Sequence, residues 1–235
     1  MRLYAIGDIH GRLDLLERAI TAIRRDVEEC GADAMTVTLG DYVDRGPDSW
    51  GVIECLSDNP FPTPYTGLKG NHEALLEEFL TDPAAGMHWQ RLGGLETLQS
   101  YGVPVANLML GSSGLMLKRT FEQTAERFRA ALPAEHLNFL RSLKTTFVHG
   151  KYFLCHAGIR PSIALDRQSQ NDLLWIRDEF LQSTMDFGKV IVHGHTPVSE
   201  PEVRPNRINI DTGAFWSDQL TCVALEDDGP RFLNV

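Results

Sequence analysis

Three times in its N-terminal third the chain passes from an apolar extended segment, through a short polar loop, into a helical pattern. The extended segments are residues 2–7, Met35–Leu39 and Tyr65–Leu68. The loops behind them carry Asp8 and His10, Asp41 and Asp44, and Asn71 and His72. Parallel strands need such crossovers, so the pattern predicts βαβ units with a ligand site beyond the carboxyl ends of the strands. Local signals agree. Leu13, Leu16, Ile20 and Ile23 recur at helical spacing up to about Cys30, and Gly31 can end that helix. Asp48 is placed to cap a short helix bearing Val52, Ile53 and Leu56. Pro60, Pro62 and Pro64 suit neither ladder nor helix, which makes 59–64 a loop.

From about Pro83 to Leu143 the periodicity is helical, around Leu92–Ser100 and Phe121–Leu132. Gly111-Ser112-Ser113-Gly114 reads as a turn, and Pro133 as the start of a further helix. This stretch shows no chemistry of its own. It is expected to be a helical insertion (83–143) covering part of the site within one domain spanning 1–235. Strand patterns return at Thr145–Val148, Tyr152–Cys155 and Lys189–Val192, with a turn at His149-Gly150 and a helix near 171–181. The segments 207–210, 220–225 and 231–235 read as strands of a second sheet.

A net charge of -10 argues against a nucleic-acid surface, although metals and local arginines can reverse the field at a phosphate site. Cys30, Cys55, Cys155 and Cys222 lack C-x-x-C spacing, as reduced thiols of an intracellular protein would. No apolar run reaches membrane-spanning length, and Met1-Arg2 leads directly into a strand, so a cytoplasmic protein without membrane partners is expected. No oligomeric state follows from these patterns.

Five strand ends thus present Asp8 and His10, Asp41, Asn71 and His72, His156, and His195. Oxygen donors mixed with imidazoles suit a divalent first-row metal better than calcium or a thiolate zinc site. The ligands are too many for one ion. Two ions sharing a carboxylate resolve this, with Asp41 as the bridge between the first and third strands. His88, His136 and His149 have no such company and read as structural, and His193 as packing beside His195.

The ordered motifs Gly-Asp-Ile-His-Gly (7–11), Gly-Asp-Tyr-Val-Asp-Arg-Gly (40–46), Gly-Asn-His-Glu (70–73), His-Ala-Gly (156–158) and His-Gly-His-Thr (193–196) resemble those of the calcineurin-like metallophosphoesterases. More closely, they resemble the serine/threonine protein phosphatases of that superfamily in their bacterial and phage form. The tail Ile208-Asn209-Ile210-Asp211-Thr212-Gly213 is also similar to the family's closing strands. The resemblance implies a four-layer αββα sandwich, two packed mixed β-sheets flanked by helices. It also implies Asp8, His10 and Asp41 around one ion, with Asp41, Asn71, His156 and His195 around the other. The ions would be manganese, or iron with zinc.

Such a pair generates hydroxide near neutral pH for direct in-line attack on phosphorus. Arg45 supplies a planar donor for the phosphoryl oxygens, and Arg177 resembles the family's second phosphate arginine. His72, beside Asn71, can protonate the leaving alkoxide while Asp44 holds its tautomer and raises its pKa, and the resemblance assigns the same pair. Asp211-Thr212-Gly213-Ala214-Phe215 stands where eukaryotic relatives carry Ser-Ala-Pro-Asn-Tyr, so sensitivity to toxins that bind that loop is not expected. Diesterases of the superfamily usually show Gly-His-x-His, so Thr196 and Pro197 after His195 disfavour DNA diester cleavage. Its dinucleoside-tetraphosphate hydrolases often carry glutamine in place of the first motif's histidine, so His10 leans toward phosphomonoesters. The expected function is a metal-dependent phosphatase acting on phosphoserine and phosphothreonine in proteins. The alternatives are a hydrolase of dinucleoside tetraphosphates or other small phosphate esters, and a non-catalytic metal-binding interaction module.

Overall fold

The computed structural model describes residues 1–31, 33–109 and 114–235. The chain begins with β1 (Arg2–Ile6), α1 (Leu13–Cys30), β2 (Ala34–Thr38), α2 (Ser49–Ser57), β3 (Tyr65–Gly67) and α3 (Asn71–Thr81). A run of helices follows: α4 (Gly86–Trp89), α5 (Gly94–Ser100), α6 (Ala106–Met109), α7 (Gly114–Ala131) and α8 (Ala134–Ser142). The C-terminal part holds β4 (Thr146–His149), β5 (Tyr152–Cys155), α9 (Gln170–Trp175), α10 (Asp178–Leu181), β6 (Val190–His193), β7 (Glu202–Val203), β8 (Arg207–Asn209), α11 (Ala214–Ser217), β9 (Cys222–Leu225) and β10 (Pro230–Phe232).

Among the described residues the strands form two five-stranded mixed sheets, ordered β10-β9-β1-β2-β3 and β4-β5-β6-β8-β7. β1, β2 and β3 run parallel, as do β5, β6 and β8. β2 lies between β1 and β3, so Asp41 enters the site between the loops of its neighbours, as the sequence predicted.

Period-two alternation assigns the layers. On β1, Leu3 and Ala5 face the second sheet and join Val37, Leu39, Leu154, Val192 and Ile208 in the core between the sheets. Tyr4 and Ile6 point the other way, onto the stripe Leu15, Leu16, Ala19, Ile20 and Ile23 of α1. The outer face of the second sheet, Phe153, Cys155 and Ile191, is covered by Leu173, Ile176 and Phe180. The result is helix, sheet, sheet, helix. Each fully buried aliphatic side chain contributes about 1.5–3 kcal/mol.

Three expectations are corrected. The C-terminal strands do not stay together: β8 joins the second sheet, whereas β9 pairs antiparallel with β1 and carries β10 into the first. Both faces of β9 are buried, so its hydrophobic pattern carries no record of which sheet it joins. The expected helix over 171–181 breaks at Ile176-Arg177, where Arg177 adopts φ -132°, ψ -105° between α9 and α10. The break lets Leu173, Ile176 and Phe180 all face the sheet. β7, only two residues long, was not anticipated. The expected turn at 111–114 lies outside the described residues over 111–113.

Candidate metal centre

The loop after β2, residues 40–46, owes its shape to close backbone contacts. Ile9 N and His10 N both donate to Asp41 O at 3.0 and 2.8 Å, and Gly11 N donates to Tyr42 O at 2.8 Å. Gly40 has φ +104°, and a side chain there would collide with the backbone of Gly70. Gly46 passes so close to the His10 carbonyl that it too has no room for a Cβ. Glu73, at the start of α3, closes the arrangement from below. Its Oε2 accepts from Asp41 N (2.8 Å) and Gly70 N (2.9 Å), and its Oε1 from Tyr42 N (2.7 Å) and Val43 N (3.3 Å). Burial, with Asp41 adding, pushes Glu73 up to about 7, and the Gly70 and Tyr42 N–H groups pull it back. A carboxylate facing four backbone donors fits this loop better than a carboxylic acid.

Five non-glycine site residues lie in the left-handed region: His10, Asp41, Asp44, Arg45 and His195 (φ 46°, 52°, 72°, 68° and 66°). Such conformations cost on the order of 1–3 kcal/mol each and persist where the surroundings over-determine them.

The ligand atoms fall into two groups sharing Asp41, one with His10 and His72 and one with His156 and His195. Asp41 Oδ2 faces His10 Nε2 (3.5 Å) and His72 Nε2 (3.8 Å), while Oδ1 faces His156 Nε2 (3.4 Å). Burial pushes the Asp41 carboxyl up, but His156, His72, His10 and His195 together hold it far below the usual carboxylate range.

Hydrogen bonding assigns the tautomers. His10 Nδ1 donates to Val43 O (2.8 Å) and His156 Nδ1 to Leu39 O (3.0 Å), leaving a lone pair on each Nε2. Burial lowers both pKa values, which keeps the rings neutral. The His156 lone pair then points at another acceptor, Asn71 Oδ1, at 2.8 Å, and His195 Nδ1 lies 2.8 Å from that same oxygen. Asp8 Oδ1 and His195 Nε2 are buried without a hydrogen-bond partner, although Asp8 Oδ2 accepts from His195 N at 3.0 Å. A cation would satisfy the His156 lone pair, Asn71 Oδ1 and Asp8 Oδ1 together, and imidazoles anchored to backbone carbonyls are typical of metal ligands. The donor set fits two divalent ions. Burial, then Asp211 and Asp41, push the Asp8 carboxyl well up, and burial pushes Asp211 up to about 6.

Beside the atoms that could hold metal stand His72 and Asp44, the pair expected to serve as the acid. His72 Nδ1 donates to Asp44 Oδ2 at 2.7 Å. Burial lowers the His72 pKa, but Asp41 and Asp44 outweigh it and the net shift is upward. Asp44, fully buried, also accepts from Trp89 Nε1 on Oδ2 (2.8 Å) and from Thr97 Oγ1 on Oδ1 (2.6 Å). Trp89 and Thr97 belong to α4 and α5. The helical stretch read as carrying no chemistry therefore supplies the donors that fix this carboxylate.

Arg45 is half-buried, and its Nη1 and Nη2 donate to His10 Nε2 and His72 Nε2, each at 3.0 Å. Its guanidinium lies 4.9 Å from the centre of the Phe215 ring, which also meets His10 edge-on at 5.5 Å. Arg177 is exposed and reaches the rim, donating to Thr196 Oγ1 at 3.2 Å. Glu73 could have been picked out from the Gly-Asn-His-Glu motif. Trp89, Thr97 and Phe215 carry no sequence signal, since their roles depend on contacts with distant residues. His136 bridges Tyr101 and Glu54 away from the site, and His193 packs on Phe180.

The sequence profile of the calcineurin-like phosphoesterases matches residues 1–231. Bis(5'-nucleosyl)-tetraphosphatase PrpE of Oceanobacillus iheyensis is 28% identical, over 94% of this chain and 87% of its own. Serine/threonine-protein phosphatase 1 of Salmonella typhimurium is 24% identical, over 95% of this chain and 92% of its own. Among solved structures, a candidate diadenosine tetraphosphatase superposes with a TM-score of 0.65 at 19% identity, covering 98% and 92% of the two chains.

Proposed function

The chain belongs to the calcineurin-like phosphoesterase family, and from that premise we propose that it is a two-metal phosphomonoesterase acting on phosphoserine and phosphothreonine in proteins. The observation that carries this reading is the buried Asp44–His72 pair beside Arg45. An alkoxide leaving group such as serine needs a proton, and this pair is built to deliver one. Asp8, His10 and Asp41 would hold one divalent ion, and Asp41, Asn71, His156 and His195 the other. Together the ions would activate water and neutralise charge on the phosphoryl oxygens.

The remaining work falls to the chain's own residues. Arg45 turns from the two imidazoles to the phosphoryl oxygens, with Phe215 supporting its guanidinium, and Arg177 closes from the rim. That movement frees His72 Nε2. Once free, Nε2 takes a proton from solvent, and the resulting imidazolium, held through Nδ1 by Asp44, gives that proton to the departing oxygen. Donation from His72, Trp89 and Thr97 fixes the Asp44 carboxylate in place behind the imidazole.

A second reading, a hydrolase of dinucleoside tetraphosphates or other small phosphate esters, is favoured by the likeness to the PrpE tetraphosphatase, which is named for that activity. Among the described residues no helix is long and apolar enough to cross a membrane, which accords with a cytoplasmic phosphatase. The test is parallel turnover, with manganese added, of p-nitrophenyl phosphate, a phosphoserine peptide and diadenosine tetraphosphate. The peptide is expected to be cleaved with the higher kcat/KM of the two biological esters. Preference for the dinucleotide by orders of magnitude establishes the second reading instead, and no turnover of any ester removes both.

A further inference from the structure

Six strands run parallel in the two sheets, and the roles proposed above use the mouths of five. Asp8 follows β1, Asp41 follows β2, Asn71 follows β3, His156 follows β5 and His195 follows β6. The sixth, β8, ends at Asn209, and two residues on stands Asp211, the same offset that separates Asp8 from β1 and His195 from β6. Its side chain is 2% exposed. β8 pairs parallel with β6, and a Cβ at Gly7 would meet the Ile210 carbonyl, so the end of β8 lies against the end of β1. The same Cβ would lie 3.6 Å from Asp211 N, so Asp211 stands beside the Gly7-Asp8 step of the first strand's loop.

We propose that Asp211 is a further carboxylate of the metal centre, acting on the ion that Asp8 and His10 hold. Two observations carry this beyond an acidic cluster. Asp8 Oδ1 is buried without a hydrogen-bond partner, in the loop against which the end of β8 lies. Asp211, in contrast, is held from behind: its N donates to Asn209 Oδ1 (3.0 Å) and its Oδ1 accepts from Gly213 N (2.9 Å). Asn209 is itself tied to Thr196 O at 2.8 Å, next to His195. The carboxylate is thus oriented by backbone groups of the loop that follows the sixth strand. Asp8, Asp41 and Asp211 put three buried carboxylates against one half-buried guanidinium, Arg45. Cations among them would offset the cost of burying those charges. Two divalent ions would neutralise all three and leave net positive charge to face phosphate.

The inference rests on the two-metal reading, and the test separates the two. Chelator-stripped wild type, Asp211→Asn, Asp8→Asn and the double variant are titrated with manganese. Ions are then counted by mass spectrometry after desalting, and affinities measured by calorimetry. Wild type is expected to hold two ions per chain. Asp211→Asn keeps the Gly213 contact and should weaken one ion ten- to hundredfold, the loss typical when a group orienting or completing a metal shell is removed. Asp8→Asn should weaken the same ion, so the double variant retains the other at wild-type affinity. Asp211→Ser, whose hydroxyl can still accept from Gly213 N, should show the same loss and serves if the asparagine variant misfolds. Two ions at wild-type affinity in Asp211→Asn, or loss of both ions in the double variant, overturns the assignment of Asp211. Failure of the wild type to bind manganese overturns the metal centre itself.

Discussion

Asp44→Asn isolates the charge behind the proposed acid from its geometry. The asparagine can present its oxygen to His72 Nδ1 and Trp89 Nε1, which both donate to Asp44 Oδ2, while its NH2 faces Thr97 Oγ1. Thr97 can accept there by rotating its hydroxyl, so packing survives and no metal ligand is touched. What changes is the bond to His72. A charge-assisted bond of about 1.5–3 kcal/mol becomes a neutral one of about 0.5–1.5 kcal/mol, so the imidazolium loses on the order of 1–2 kcal/mol. At about 1.4 kcal/mol per factor of ten, kcat for an alkyl ester should fall roughly 5- to 30-fold. The assay compares kcat for a phosphoserine peptide with that for p-nitrophenyl phosphate, at fixed manganese and with metal content verified. The nitrophenolate leaves without help, so its kcat should fall much less. An equal fall for both esters refutes the general-acid argument, and so does no fall for either.

Other perturbations probe separate parts of the molecule. Arg45→Ala should raise KM and weaken inhibition by inorganic phosphate, and Phe215→Ala should move both in the same direction by less; unchanged phosphate affinity in Arg45→Ala rejects the phosphate role. Asp26 bears on stability against pH. It accepts from Arg231 (2.7 Å) and from Tyr4 (2.6 Å), and the Arg231 contact, ahead of burial and Tyr4, holds its carboxyl below its ordinary value. A carboxyl depressed on folding stabilises fully above its unfolded pKa of about 3.9 and ceases to do so as pH falls through the folded value. The gap in melting temperature between wild type and Asp26→Asn should therefore be constant near neutrality and shrink below about pH 4. A gap unchanged down to pH 2.5 contradicts that linkage.

Much of the architecture was legible in the chain. Leu3 and Ala5 alternate with Tyr4 and Ile6 on a strand buried on both faces, and Leu16, Ile20 and Ile23 recur at helical spacing, so element type and order follow from local patterns. The candidate site residues stood out for a related reason. Asp8, Asp41, Asn71, His156 and His195 each sit just past a strand, where side chains from different elements meet. Less visible were the residues that hold these groups in place. Trp89 and Phe215 look like ordinary core or surface aromatics until the fold brings one to Asp44 and the other to Arg45.

By itself, then, the sequence determined where strands, loops and helices fall and which polar side chains the loops present, because hydrophobic period and turn chemistry act over a few residues. Tertiary structure alone decided that β9 pairs with β1 and that the helix after β5 breaks at Arg177. It alone brought the end of β8, with Asp211, against the loop that carries Asp8. Those outcomes depend on contacts between segments far apart in the chain, whose energies come from shared burial and charge. Local pattern carries no record of such partners.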